Sequence, residues 1–515
     1  MYLTQSLHRA VQRDPDRIAT VFGDRTRTYA QSADRVARLA GGLRALGVGG
    51  GDRVGVLALN SDLYLECLLA TCWADAVINT VNTRWSTAEI AASLVDCQTT
   101  VLFVGDDFLH LVEPLRDRCP QLAHVIHLAT TPADGVLGHE QLITDNEPVP
   151  DARRGGDSLA ALFYTGGTTG RSKGVMLSHA NLMTSTFGSM ASCTFATPGG
   201  AFLHSAPMFH LADLTGWLAH LALGNTQVVI PRFDPADFLR AVQAHAVTDV
   251  LLVATMIQLV IDHPQAAETD LSSLRRMIYG AAPISDAVLR RTMERIPQLE
   301  LVQTYGMTEL SPVATILTPE QHRPGSPRLR TVGVPALHSE LRIVDGDDRD
   351  VPPGVVGEIT VRGGHVMLGY WNQPDETAEA LRGGWMHTGD GGYLDEDGYL
   401  SLVDRVKDMI ITGGENVYST EVENALHQHP AVATCAVIGI PDDTYGEAVH
   451  AVVVLRQGAH VTAAELRTFA KSLVAGYKAP RSVSFVDELP TSAAGKILKR
   501  ELRARYADAG APMTP

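Results

Sequence analysis

Tyr164-Thr-Gly-Gly-Thr-Thr-Gly-Arg-Ser-Lys-Gly174 is the stretch on which the reading of this chain turns. It follows Ala160–Tyr164, an apolar run that reads as a buried strand. Bare glycine backbone lets a ligand approach closely, and successive amides form a nest for anions. Gly166, Gly167 and Gly170 supply that backbone here. Thr165, Thr168 and Thr169 add hydroxyl donors, and Lys173 adds a point charge. The spacing is not that of a Walker loop. Taken alone, such a turn is either a phosphate cradle or a flexible loop, and its surroundings decide between the two.

Outward from the loop, short apolar runs alternate with helix-like segments. Candidate strands are Thr100–Val104, Ala160–Tyr164, Gln227–Ile230, Asp249–Val253, Met277–Tyr279 and Leu301–Gln303. Helical patterns such as Pro235–Ala244 and Asp286–Arg295 lie between them. Alternation of this kind predicts an α/β fold of parallel-type sheets covered by helices. From Val334 to Arg362 the pattern changes to short alternating strands, with turns at Asp345–Asp348 and Pro352–Gly354, which predicts a small antiparallel subdomain. After Arg405 a compact α+β pattern follows: strands at Val432–Ile440 and His450–Leu455, and a helix at Ala463–Val474. The expected division is a large N-terminal domain, 1–404, and a small C-terminal domain, 405–515, ending in a frayed Ala507–Pro515.

Length and charge narrow the function. The chain has 515 residues, 45% hydrophobic and 19% charged, which describes a globular protein of more than one domain. Its formal net charge of −16 opposes broad nucleic-acid binding and suits a self-repelling cytoplasmic enzyme. Between Tyr477 and Arg505, however, seven Lys/Arg face only Asp487, Glu488 and Glu501. That cluster is either a solvated basic surface, the plainer reading, or positive charge gathered for polyanions. The six cysteines form no CxxC pair, which argues against structural zinc and predicts buried free thiols. Met1–Arg13 has amphipathic-helix spacing without a signal-peptide core, and Val250–Ile261 is too short and interrupted to span a membrane.

The loop resembles the phosphate loop of the adenylate-forming superfamily: acyl-CoA synthetases, nonribosomal adenylation domains and firefly-type luciferases. Gly166 stands where serine is common, and Ser172 where proline is common; losing the proline loosens the loop entropically. Other family segments follow in order, and the resemblance runs from about Ser6 to Tyr506. Gly280-Ala-Ala-Pro283 resembles the adenine-contacting turn through Gly280, Ala281 and Ala282. In Thr304-Tyr-Gly-Met-Thr-Glu309, the resemblance makes Glu309 the Mg²⁺ ligand and Thr308 a phosphate contact, with Tyr305 and Gly306 beside the nucleotide. In His387-Thr-Gly-Asp390, it makes Asp390 the acceptor for the ribose hydroxyls. In Asp404-Arg-Val-Lys-Asp408, Arg405 resembles a ribose and phosphate contact, and Lys407 falls at the hinge. Gly413-Gly-Glu-Asn-Val417, with Gly414, resembles the loop brought in for thioester formation. Thr491-Ser-Ala-Ala-Gly-Lys-Ile-Leu498 holds Lys496, which matches the adenylation lysine. Without the family, the Gly280 turn is an ordinary helix entry, Thr308-Glu309 a helix N-terminus, and Asp390 a turn cap.

The resemblance implies a ligase that uses ATP, Mg²⁺ and CoA, with a C-terminal domain that moves between half-reactions. Ala206-Pro-Met-Phe-His210 resembles the acyl-CoA synthetase version of the segment beside the carboxylate, with His210 where amino-acid-activating domains carry an aspartate. Asp213 is close by but not at the matching place. Leu211, Leu214, Trp217 and Leu218 are mostly apolar at helical spacing, and read equally as helix core or acyl-pocket wall. The expected substrate is a fatty or other apolar carboxylic acid, aromatic ones included, and fatty-acid metabolism is the expected setting. The alternatives are an enzyme that loads a separate carrier protein or oxidises its adenylate, and a silent relative that only binds. A homo-oligomer fits either enzyme reading.

Overall fold

The computed structural model describes residues 1–131, 133–165, 172–280, 284, 286–323, 325–405, 408–412, 415–442, 444–491 and 497–507. Contacts separate the chain into two compact units. The first is Met1–Leu341 with Val361–His387, and the second is Arg342–Thr360 with Thr388–Pro515.

The first unit contains a nine-stranded and an eight-stranded sheet. In the eight-stranded sheet Arg53–Leu57, Val77–Thr80, Val101–Val104, His124–His127 and Leu159–Thr165 run parallel. These strands are buried on both faces, and therefore read as continuous apolar runs rather than alternating ones. At one side Leu159–Thr165 pairs antiparallel with Lys173–Ser178. In the nine-stranded sheet Ala201–His204, Thr226–Val229, Asp249–Val253, Arg276–Gly280 and Glu300–Gly306 run parallel, and Val313–Leu317 returns antiparallel. Its core includes Phe238, Val242, Val250, Leu252 and Leu274, all at most 1% exposed.

Local chemistry sets several element ends. Asp234 caps Pro235–Ala244 by accepting from the Ala236 and Asp237 amides, with Pro235 at the first helical position. The apolar run from Val250 to Ile261 splits into the strand Asp249–Val253 and the helix Ala254–Ile261. The N-terminal helix Gln5–Arg13 buries Leu7 and Ala10. All six cysteines are free thiols, five of them buried. No helix among the described residues is long and apolar enough to cross a membrane.

The second unit holds strands of a four-stranded sheet, ordered Glu340–Val344, Gly357–Arg362, Met386–Leu394, Leu400–Arg405. A five-stranded sheet follows, built on the long antiparallel pair Val432–Asp442 and Gly446–Leu455. The helices Ser419–His427 and Ala463–Leu473 cover it, burying Val422, Leu426, Leu466 and Ala470. The expected 404/405 division falls inside this unit, at the end of the strand Leu400–Arg405.

Candidate active site

Thr165 closes one strand and Lys173 opens the next, and the two are direct partners in the ladder. The ends of the glycine- and threonine-rich loop are thus pinned by sheet pairing. Gly166, Gly167, Thr168, Thr169 and Gly170 lie outside the described residues. Just past the loop, Gly174 has little room to be anything else. A Cβ there would sit 3.0 Å from the Tyr164 ring and 3.2 Å from Cβ of Trp371. Tyr164 donates its hydroxyl to Asp96 Oδ2 at 2.6 Å, and Trp371 donates Nε1–H to the Asp96 carbonyl at 3.0 Å.

Glu309 lies in the short turn Thr308–Leu310, directly after the strand that ends in Tyr305 and Gly306. Its side chain is buried although it is a carboxylate. The Tyr370 hydroxyl donates to Glu309 Oε1 at 2.9 Å. Burial and the adjacent carboxylate push the Tyr370 phenol up, so it keeps its proton and acts as the donor. Over the face of the same ring, Lys173 Nζ stands 4.7 Å from the centroid. Tyr370 therefore touches two of the expected site residues. Two site glycines have packing reasons as well as the expected ligand-facing ones. A Cβ on Gly280 would run into the Thr304 carbonyl of the neighbouring strand, and one on Gly306 into the Pro312 carbonyl. Ala281 and Ala282 are outside the described residues.

His210 precedes the helix Leu211–Leu223 and packs its ring against that of Phe209, centroids 4.3 Å apart. The segment before it is held from behind. Asn60 donates to the Ala206 carbonyl at 2.8 Å and accepts from the Met208 amide at 2.8 Å. Thr80 donates to the Phe209 carbonyl at 3.0 Å. Asp213, close by but not at the matching place, is fully buried and bonds His204 Nδ1 at 2.6 Å. Leu214 and Trp217 are buried on the same helix.

In the second unit, Asp390 and Arg405 are opposed across the pair Met386–Leu394 and Leu400–Arg405. The turn before Asp390 is tight: Gly389 has φ 71°, its amide donates to Glu358 Oε1 at 3.0 Å, and the Asp390 amide donates to Thr388 Oγ1 at 3.1 Å. Lys407, Gly414 and Lys496 lie outside the described residues. Among the described residues, Thr412 is opposite Glu415 in a strand pair, and Thr491 bridges to Ile497. The basic segment is partly spoken for within the unit. Lys478 pairs with Glu421, Lys499 with Glu423 and Arg503 with Asp408, each at 2.8 Å. Arg481 stacks on Tyr445 at 3.7 Å. Those four cations have partners within the unit rather than forming a simply solvated basic surface.

Sequence reasoning missed Tyr370 and Trp371. Gly369-Tyr-Trp371 follows an apolar run and looks like an ordinary turn. Nothing local announces that it pairs with a strand almost two hundred residues upstream.

With this geometry in place, relatives can be compared. Residues 7–371 match the AMP-binding enzyme family, and 421–496 match the AMP-binding enzyme C-terminal domain. The chain belongs to the AMP-binding enzyme family. It is 41% identical over 499 residues to a feruloyl-CoA synthase of Amycolatopsis sp, covering 97% of this chain and 98% of that one. It is 35% identical over 507 residues to the fatty acid–[acyl-carrier-protein] ligase ScoC of Streptomyces coeruleorubidus, covering 98% and 96%. Among solved structures, the anthranilate CoA ligase AuaEII in complex with anthranoyl-AMP superimposes with a TM-score of 0.89 at 26% identity, covering 99% and 98%.

Proposed function

We propose that this protein is an AMP-forming acid–thiol ligase. It converts a carboxylic acid, ATP and CoA to acyl-CoA, AMP and pyrophosphate through an acyl-adenylate. The observation that carries the reading is the buried carboxylate of Glu309, held by Tyr370 in the same unit as the pinned phosphate-loop ends. The relatives' names add the substrate class: an apolar acid, aromatic or fatty. The setting is a cytoplasmic enzyme.

The first half-reaction sets a carboxylate against a polyphosphate, so its barrier is largely electrostatic. The site fits Mg²⁺. Glu309 is a buried carboxylate, and Mg²⁺ in nucleotide sites is held by one or two carboxylates plus phosphate oxygens. Glu309 would hold it, and the ion would supply positive charge to the phosphates. Thr165, the loop Gly166–Gly170 and Lys173 cradle the phosphates, and Thr308 adds a hydroxyl. Gly280, Ala281, Ala282, Tyr305 and Gly306 form the nucleotide's wall, and Asp390 and Arg405 take the ribose. His210 borders the acid, and Lys496 stabilises the negative charge that builds up at the α-phosphate. The 405–515 segment then turns about Lys407 and presents Gly414 for thiolysis, leaving the CoA thiol as nucleophile.

A second reading replaces CoA with a carrier protein, and the carrier-protein ligase among the relatives favours keeping it in view. Product analysis with a panel of aromatic and fatty acids tests both. CoA-dependent release of AMP supports the proposal, AMP release only with an acyl carrier supports the second reading, and ADP as product overturns both. Light scattering on the same preparation reads the oligomeric state.

A further inference from the structure

We propose that Tyr370 is a positioning residue that ties the Glu309 carboxylate to the lysine end of the phosphate loop. The inference rests on Glu309 being the metal-binding carboxylate. Its grounds are geometric. The phenol hydroxyl meets Glu309 Oε1 at 2.9 Å and the ring face meets Lys173 Nζ at 4.7 Å, so one side chain joins an acid in the turn after a strand of the nine-stranded sheet to a base that opens a strand of the eight-stranded one.

The backbone around Tyr370 leaves that side chain little freedom. Gly369 and Tyr370 add a short strand to the sheet edge, opposite Met176 and Val175. The Trp371 amide donates to the Gly174 carbonyl at 2.7 Å, the Leu368 amide to Met176 at 2.9 Å, and the Met367 amide to the Glu309 carbonyl at 2.9 Å. Thr377 Oγ1 accepts from the Tyr370 amide at 2.9 Å. Both ends of the link are therefore tied through main chain as well as side chain: Met367 to Glu309, and Trp371 to the residue after Lys173.

The chemistry of the two contacts explains why a tyrosine serves. A phenol donates to one lone pair of a buried carboxylate without itself cancelling the carboxylate's charge, so the oxygen is aimed. A guanidinium in that place would neutralise it. The ring face attracts the ammonium through its quadrupole without capturing its protons, which leaves Lys173's donors for phosphate. A purely structural tyrosine would need its hydroxyl satisfied too. Metal binding is what separates the two roles.

The test uses the full-length protein, the α,β-methylene analogue of ATP, and Mn²⁺ as a spectroscopic stand-in. Free Mn²⁺ is read by electron paramagnetic resonance, and metal-free analogue binding by calorimetry. Tyr370→Phe keeps the ring and removes the hydroxyl. It is expected to weaken Mn²⁺ uptake roughly tenfold, the loss of one hydrogen bond to a charged group, while metal-free analogue binding and the melting temperature stay at wild type. Tyr370→Leu removes the ring as well and is expected also to weaken metal-free analogue binding. Glu309→Gln is the benchmark. Wild-type Mn²⁺ uptake in Glu309→Gln would overturn the metal reading of Glu309 and this inference with it. Weakened uptake in Glu309→Gln beside wild-type uptake in Tyr370→Phe would overturn the inference alone. So would a Tyr370→Phe protein with a lowered melting temperature and equal losses with and without metal.

Discussion

Among the regions of the first unit that bury carboxylates, two treat them differently. Where the helices Tyr29–Ala45 and Asp62–Trp73 meet, Asp62, Glu66 and Glu140 are met by guanidinium groups. Arg35 reaches Glu66 at 2.7 Å and Glu140 at 2.6 Å; Arg25 reaches Asp62 at 2.5 Å, and Arg27 pairs with Asp62 as well. Burial opposes charge on Glu140, but its contacts with His139 and Arg35 win and hold its carboxyl well below the usual range. At Glu309 one of the contacts is a phenol, which itself supplies a hydrogen bond and no charge. Planar guanidinium forks fix carboxylates in place and cancel them, which serves the fold. A phenol fixes a carboxylate and leaves its charge in use, which serves a ligand.

A region that carries chemistry should fail step by step, and one that carries stability should fail as a whole. The largest effect is expected at the C-terminal positions. Lys496→Ala should lower acyl-adenylate formation by on the order of 10² or more, while thiolysis of supplied acyl-adenylate stays near wild type. Gly414→Leu should do the reverse. Measured half-reactions that fall together in both variants would remove the domain-rotation part of the account and return both sites to a structural role.

Acid challenges the stability side next. Burial pushes the His220 imidazole down to about 3, and those of His179, His322 and His450 down to about 4. The unfolded chain takes up protons at these groups near pH 6.5, whereas the folded chain stays neutral until about pH 4 or below. Folding stability should therefore decline as pH falls from about 6.5 towards 4. Glu140 adds to the decline at lower pH, because its stabilisation is complete above its unfolded value of about 4.3 and is lost progressively as pH falls below that towards its depressed folded value. Urea titrations at pH 7 and pH 5 check this; an equal or higher midpoint at pH 5 contradicts it.

How much of this was legible beforehand follows from the range of the interactions. Pro235–Ala244 and Asp249–Val253 carry their own signals, a cap with proline and an apolar run, and both elements form at those bounds. The glycine-rich loop stands out because the signal expected of an anion nest lies in consecutive residues. Its strand partner Lys173–Ser178 was less so, since Lys173 opens a strand rather than merely ending a loop. Tyr370 was invisible: its role depends on a sheet-edge pairing with Val175, which no local periodicity encodes. The arginine network was equally hidden, because Arg35 and Glu140 are far apart in sequence and meet only through helix packing.

The smallest effect is expected at the acid pocket. Leu214→Ala or Trp217→Ala should shift preference towards bulkier acids by roughly 1–3 kcal/mol for each methylene-sized change. Ratios of kcat/KM across an acid series measure it. Unchanged ratios in both variants would assign this stretch of helix to the core, on the stability side of the comparison.

The central claim is that Glu309 is a working carboxylate and the arginine-bound acids are structural ones. Glu309→Gln and Arg35→Ala, assayed in parallel for acid-dependent pyrophosphate exchange and for thermal melting, test it most directly. Glu309→Gln should lose roughly 10²–10³ in exchange at an unchanged melting temperature. Arg35→Ala leaves Glu66 and Glu140 only the longer contacts to Arg27 and His139 and should cost about 3 kcal/mol of stability, while the protein that remains folded exchanges normally. Near wild-type exchange in Glu309→Gln, or lost exchange in an Arg35→Ala protein as stable as wild type, would contradict the account.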